Sequence, residues 1–217
     1  MKRRLFISFM AFVLVSGCVS VKKQSLFDLP SDQKPPECIG NFYALNIFDD
    51  NLGSEVWFTQ SKNCLSIKLD DQIKFSGERS MFWSWDKAAG GCPWLGIGFG
   101  WDNWNPKDLS GILDKAAIQL KVRAVKDKIN VLPLAAALED YAGAQAWLGI
   151  SRTTIQGPYI SEEWTTILLP LADFNWKQND ASPDNIKQLI IQFEAEGQLY
   201  VDDIKVVPHQ GSRKNKD

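Results

Sequence analysis

Ile118, Gln119, Leu120, Lys121, Val122, Arg123 is the stretch whose reading decides the fold. Apolar side chains alternate with long polar ones. A period of two puts Ile118, Leu120 and Val122 on one face and Gln119, Lys121 and Arg123 on the other. That is the pattern of a half-buried strand. Similar runs lie on either side: Leu65 to Leu69, Ser80 to Trp85, Trp94 to Phe99, Val131 to Leu138, Trp164 to Leu169, Ile186 to Phe193 and Leu199 to Val207. Gly77, Gly90 with Gly91, Gly111, Gly143, Gly157 with Pro158, and Gly197 separate them. Many short strands broken by turn residues predict an all-β chain folded as an antiparallel β-sandwich. One short helix is expected where Ser182, Pro183 and Asp184 supply an N-cap, a first-turn proline and a first-turn acid.

The sandwich-forming composition runs over residues 38–208, a length that suits one domain with a full core. Residues 209–217 form a polar tail, and residues 18–37, rich in lysine, serine and proline, read as a flexible tether. Ahead of them Lys2, Arg3 and Arg4 precede a run, Leu5 to Val15, that is apolar apart from Ser8, so residues 1–17 read as a signal peptide. The run is too short to span a bilayer, which needs about 20 apolar residues, and no other stretch reaches that length. Val15, Ser16, Gly17 and Cys18 resemble a bacterial lipobox. The resemblance implies lipid on Cys18 and a bacterial cell-envelope location, membrane-held but not spanning. With Val19 and Ser20 rather than an aspartate after the cysteine, it points to the outer membrane.

The chain carries 24 basic and 26 acidic residues. Removing the three basic residues at the start moves the formal charge from −2 to −5. No basic stripe exists to neutralise phosphates, which excludes nucleic acid as a partner. An exported chain with Cys38, Cys64 and Cys92 beyond the lipidated cysteine allows one disulfide and leaves one thiol over. Cys64 opens one strand and Cys92 lies just past the next, which favours that pair. The cysteine spacings are far from zinc-ligand patterns, and the single histidine, His209, sits in the tail.

Four segments taken in order resemble a known group: Phe48, Asp49, Asp50; Phe75, Ser76, Gly77, Glu78, Arg79, Ser80; Trp164 through Phe174; and Tyr200, Val201, Asp202, Asp203, Ile204, Lys205, Val206. The order is similar to the galactose-binding-like β-jelly roll, and within it to family 11 carbohydrate-binding modules and the complex I intermediate-associated proteins. The resemblance implies a structural calcium near the join of the first and last strands. Its matching positions are Asp49 or Asp50, Glu78, and Asp202 or Asp203. Calcium takes six to eight oxygen ligands, which fits carboxylates with loop carbonyls.

The resemblance also implies glycan binding. A sugar site needs flat aromatic platforms for pyranose C–H faces and planar polar groups for hydroxyls. Nine tryptophans are available. Trp83 and Trp85 share one face of a strand, and Trp101, Asp102, Asn103, Trp104 and Asn105 form an aromatic-polar loop. Tyr141 and Trp147 flank a glycine-containing loop. Lys121 and Arg123 oppose the apolar stripe of one strand, as Gln192 and Glu194 do on another, so the four could line one sheet surface. Trp94 and Trp164 read as core, Trp101 and Trp104 as exposed. The expected ligand-binding set is therefore Trp83, Trp85, Trp101, Trp104, Lys121, Arg123, Tyr141, Gln192 and Glu194.

A histidine-based triad is excluded by the position of His209. No G-x-S-x-G element or glycine-rich phosphate loop occurs. The expected function is non-catalytic, lipid-anchored carbohydrate binding. Two alternatives stand beside it: an assembly lipoprotein gripping a protein partner, and a small glycoside-active enzyme using acids among Asp86, Asp102, Glu139, Asp140 and Glu194.

Overall fold

The computed structural model describes residues 38–40, 42–43, 46–59, 63–101 and 103–210. The predicted signal segment, Cys18, the tether and Asp102 lie outside them.

The strands in chain order are β1 (Cys38–Ile39), β2 (Phe42–Tyr43), β3 (Asn46–Phe48), β4 (Val56–Phe58), β5 (Leu65–Asp70), β6 (Ser80–Asp86), β7 (Gly96–Gly100), β8 (Ala116–Ala124), β9 (Leu134–Asp140), β10 (Gln145–Gly149), β11 (Thr165–Pro170), β12 (Ile186–Phe193) and β13 (Glu196–Pro208). They form two antiparallel sheets, apart from the small β1–β2 pair. One sheet runs β11-β8-β13-β6-β5 with β3 also pairing β13; the other runs β10-β9-β12-β7-β4. The two face each other across one core, so the chain is a β-sandwich.

The alternation of β8 explains how that core is built. Ile118, Leu120 and Val122 are buried, while Gln119, Lys121 and Arg123 are half-exposed on the outer face. Met81, Trp83, Leu199 and Val201 join them from the same sheet; Ile97, Phe99, Leu138, Leu189, Ile191 and Phe193 come from the opposite one. Rings bridge the layers: Trp83 meets Phe193 edge-on at 5.3 Å, and Trp85 meets it at 5.1 Å. Trp83 is fully buried and Trp85 nearly so, which corrects the expectation that they form a ligand platform. A strand's alternation shows which residues share a face, and here the shared face is the inner one.

Other departures have equally local reasons. Residues 182–184 make a turn leading straight into β12 rather than a helix. Among the described residues the helical elements are two 3-10 turns, Ser110–Ile112 and Leu171–Asp173. Strands β1 to β4 and β10 lie outside the predicted runs, each being only two to five residues long. Trp94 and Trp164 are not core. Trp94 is 37% exposed just before β7, and Trp164 is half-buried, with its ring edge-on to exposed Phe75 at 5.9 Å.

Cys64 and Cys92 form a disulfide between the loops before β5 and after β6, and Cys38 is free. A bridge closing a loop of 28 residues contributes about 3 kcal/mol.

Strand β13 changes partners midway. It pairs β6 up to Val201 and β3 from Ile204, with a bulge at Asp202 and Asp203, where Asp203 has φ +51°. Of the carboxylates named for calcium, those of Asp49, Asp50, Asp202 and Asp203 are engaged by protein groups. Asp202 is fully buried and accepts the amides of Phe75 (2.8 Å), Ser76 (3.2 Å) and Asp203 (2.8 Å). Asp50 accepts the amides of Glu78 and Arg79, Asp49 accepts that of Asp50, and Asp203 pairs with Lys205 at 2.8 Å. Among the described residues no three acidic, histidine or cysteine side chains are grouped to hold a metal. As arranged, this donor set does not fit a calcium cage; its acids tie loops to the bulge.

Candidate functional site

The outer face of the β10-β9-β12-β7-β4 sheet is built around a strand with half of its side chains missing. Strand β7 reads Gly96, Ile97, Gly98, Phe99, Gly100. Ile97 and Phe99 point into the core, so the three glycines share the outer face. Each lies under a tryptophan. A Cβ on Gly96 would stand 2.2 Å from the ring of Trp94, one on Gly98 2.3 Å from Trp57, and one on Gly100 2.7 Å from Trp104. The glycines let three indoles lie down on the sheet in a row, with successive positions about 7 Å apart along the strand. Trp57 and Trp94 stand 5.9 Å apart with their planes inclined by 26°.

Strand β12 lies beside β7, and Gln188, Ile190 and Gln192 pair with Gly100, Gly98 and Gly96. The two glutamines hold two of the indoles. An indole N–H can only donate, so a buried one needs an acceptor. Trp57 Nε1 donates to Gln188 Oε1 at 2.7 Å, and Gln188 Nε2 donates onward to Glu139 Oε1 at 3.0 Å. Glu139 also receives Gln145 at 2.7 Å and Lys187 at 3.1 Å. The arrangement repeats one step along the strand: Trp94 Nε1 donates to Gln192 Oε1 at 3.0 Å, Gln192 donates to Glu194, and Lys87 closes the relay on Glu194 at 2.6 Å. Both relays run tryptophan, glutamine, glutamate, lysine.

These contacts set the electrostatics. Burial pushes the Glu139 carboxyl up, but hydrogen bonds from Gln145, Lys187 and Gln188 outweigh it and hold the group below its ordinary value. Hydrogen bonds from Lys87 and then Gln192 lower Glu194 in the same way. Each carboxylate is ionised and faces a lysine, so the floor is polar but locally charge-balanced. That suits an uncharged, hydroxyl-rich ligand. It does not suit acid catalysis, since a general acid for glycoside cleavage needs a raised pKa.

This outer face gathers part of the expected set. Trp104, Tyr141, Gln192 and Glu194 belong to it, and the Tyr141 hydroxyl donates to the Trp104 carbonyl. Trp147 stands on the same sheet face at β10, opposite Ala137. Trp101 lies in the loop after β7 as expected, but it is buried, and among the described residues nothing accepts from its ring nitrogen, so it is not an exposed platform. Lys121 and Arg123 are on the other sheet. Lys121 donates to Thr166 at 2.8 Å and lies 4.6 Å from the Phe75 ring; Arg123 donates to the Glu162 carbonyl and lies 5.8 Å from the Tyr200 ring. The apolar stripes of β8 and β12 do face the same core, but from opposite sides, so their polar faces point away from each other. Trp57, Trp94 and Gln188 were missed. The signal for them was the alternate glycines of β7, which mark a strand that something approaches closely.

The family model for carbohydrate binding domain 30 matches residues 44–208. The chain belongs to this family. It is thus a non-catalytic carbohydrate-binding domain, a neighbour of the family 11 modules that its sequence resembles. Among solved structures it is similar to the family 30 carbohydrate-binding module of a cellulosomal cellulase of Clostridium thermocellum, at TM-score 0.62 and 14% identity, covering 80% of this chain and 100% of that one. It is also similar to the family 11 module from Clostridium thermocellum in complex with a β-1,3-1,4-mixed-linked tetrasaccharide, at TM-score 0.54 and 14% identity, covering 77% and 97% of the two chains. A third similarity is to an exo-β-agarase, at TM-score 0.52 and 14% identity, where 77% of this chain matches 25% of the enzyme. At these identities the likeness is one of fold. No curated protein matches.

Proposed function

We propose that the indole row over β7 is the carbohydrate site and that it takes an extended, uncharged β-linked glucan. The observation that carries this reading is the row of three indoles laid on Gly96, Gly98 and Gly100, two of them pinned at the ring nitrogen by glutamines. Flat rings in line offer stacking surface to successive sugar rings of one chain. Polar groups beside them remain within reach of hydroxyls. The mixed-linked glucan bound by the family 11 module supports the same ligand class. The test is calorimetric titration with soluble mixed-linkage β-glucan. Trp57→Ala and Trp94→Ala should each weaken binding about ten-fold or more, at a melting temperature close to wild type. Binding by both variants at wild-type strength would remove the indole row from consideration.

Lipid attachment at Cys18 and a place in the bacterial envelope form the second part of the proposal. It is supported by the lipobox-like residues Val15 to Cys18 and by a disulfide of the kind that persists in oxidising compartments. Cys18→Ser should abolish incorporation of labelled palmitate and release the protein from membranes. Unchanged labelling would refute it.

A further inference from the structure

The three indoles are not held alike. Trp57 and Trp94 each donate a ring N–H to a glutamine that is itself locked by a glutamate. Among the described residues no group accepts from the ring nitrogen of Trp104. Its backbone also differs. Asn103 and Trp104 have φ values of +53° and +62°, a left-handed pair that side-chain-bearing residues rarely adopt unless their surroundings impose it. Both flanks of this arc are fixed. Trp101 is buried on one side, and on the other Lys107 and Ile186 exchange backbone hydrogen bonds of 2.9 Å.

What meets the arc at its middle is Tyr141, through its hydroxyl on the Trp104 carbonyl. Tyr141 stands on a rigid mount. Its neighbour Asp140, 2% exposed, accepts the amides of Ala142 at 2.8 Å and Ala144 at 2.9 Å with one oxygen, and that of Ser182 at 2.9 Å with the other. The Tyr141 amide donates to the Asn185 carbonyl at 3.1 Å. The tyrosine ring is 43% exposed, so core packing does not account for it.

We infer that Tyr141 is a positioning residue that latches the Asn103–Trp104 arc, so that Trp104 serves as the end platform of the indole row and sets how long a glycan the site reads. The inference rests on the indole row being the carbohydrate site. Trp57 and Trp94 are pinned whether or not a ligand is present. Among the described residues, the one hydrogen bond that holds Trp104 is at its main chain, from a hydroxyl on another hairpin, while its ring rests on Gly100. Loss of that hydroxyl frees the far end of the row and leaves the near end intact, so the cost falls on ligands long enough to reach it.

The experiment is titration of wild type, Tyr141→Phe, Trp104→Ala and the double variant with β-glucan oligosaccharides of three and six units. Tyr141→Phe should weaken the longer ligand about five-fold and leave the shorter one within about two-fold. Trp104→Ala should act in the same direction, and the double variant should match Trp104→Ala alone, because the latch works only through that indole. Equal weakening of both lengths, no weakening of either, or additive losses in the double variant would overturn the latch. If the wild type binds neither oligosaccharide, the carbohydrate site itself has failed, and the latch is read without ligand. The indole N–H resonance of Trp104, assigned by its loss in Trp104→Phe, should shift or broaden in Tyr141→Phe, and an unmoved resonance would overturn the latch.

Discussion

Gly98 carries more of this site than its size suggests. A Cβ there would sit 2.3 Å from the Trp57 ring, closer than any side chain tolerates, but the obstacle is the end of a side chain and not backbone. Gly98→Ala should therefore leave the fold standing, because Trp57 can swing away, while the middle platform and its bond to Gln188 are lost. Titration with soluble β-glucan should show a loss of about ten-fold, with the melting temperature moved by only a few degrees. Retained affinity would mean that the ring does not need to lie on the strand. Trp83 gives the opposite outcome. It is fully buried between the sheets, so Trp83→Ala should cost about 3–5 kcal/mol in denaturant unfolding, an effect on stability first. The sequence alone places Trp83 in a strand and gives Trp57 no role. What separates them is the residue beneath each: Trp57 lies on a glycine, whereas Trp83 packs edge-on against Phe193.

At the scale of the element, the two tryptophan–glutamine–glutamate–lysine relays meet on β12 and its end, where Gln188, Gln192 and Glu194 share one face. Both glutamates ionise below their ordinary value of 4.5, so the folded state binds fewer protons there than the unfolded chain. Their contribution to stability is complete above that ordinary value and is lost as pH falls through the lowered folded values. Glucan affinity should accordingly stay flat above the ordinary carboxyl value and fall as pH drops below it, as the glutamines lose their charged acceptors. Glu139→Gln combined with Glu194→Gln should flatten that acid limb, and a limb that persists in the double variant would place the titration elsewhere. The strand itself was legible from the run Ile186 to Phe193. Its partners were not. A period of two tells which residues share a side of their own strand, but not which of two sheets that strand joins. Hence Lys121 and Arg123 were grouped with Gln192 and Glu194, although they lie on opposite outer faces. The helix expected at Ser182 failed for a related reason. Its capping residues are also turn residues, and the amide of Ser182 is taken by buried Asp140, 42 positions away in sequence.

Taken whole, the molecule has two outer faces with different work, and the difference can be measured. The β7 face carries two indoles bound through their ring nitrogens and carboxylates balanced by lysines. On the opposite face two cations are spent locally: Lys121 on Thr166 and over Phe75, Arg123 on the Glu162 carbonyl and near Tyr200. Those contacts tie β8 to β11, to the loop before β6 and to β13, so they concern stability and not ligand. Lys121→Ala with Arg123→Ala should lower the melting temperature by a few degrees, since each removes a hydrogen bond and a cation–ring contact from a half-exposed site. Affinity for soluble β-glucan should stay within about two-fold of wild type, because a neutral chain stacked on the far sheet senses neither charge at such a distance. A ten-fold loss of affinity in that variant, at an unchanged melting temperature, would move the binding surface to the β8 face and contradict the indole row. The acids of the β13 bulge extend the same reasoning to metal. Asp202 spends its oxygens on three backbone amides and Asp203 spends one on Lys205, so the join between β3 and β13 is closed by protein donors. The melting temperature should then be the same in EDTA and in calcium, and a rise of several degrees with calcium would show that these carboxylates regroup around an ion.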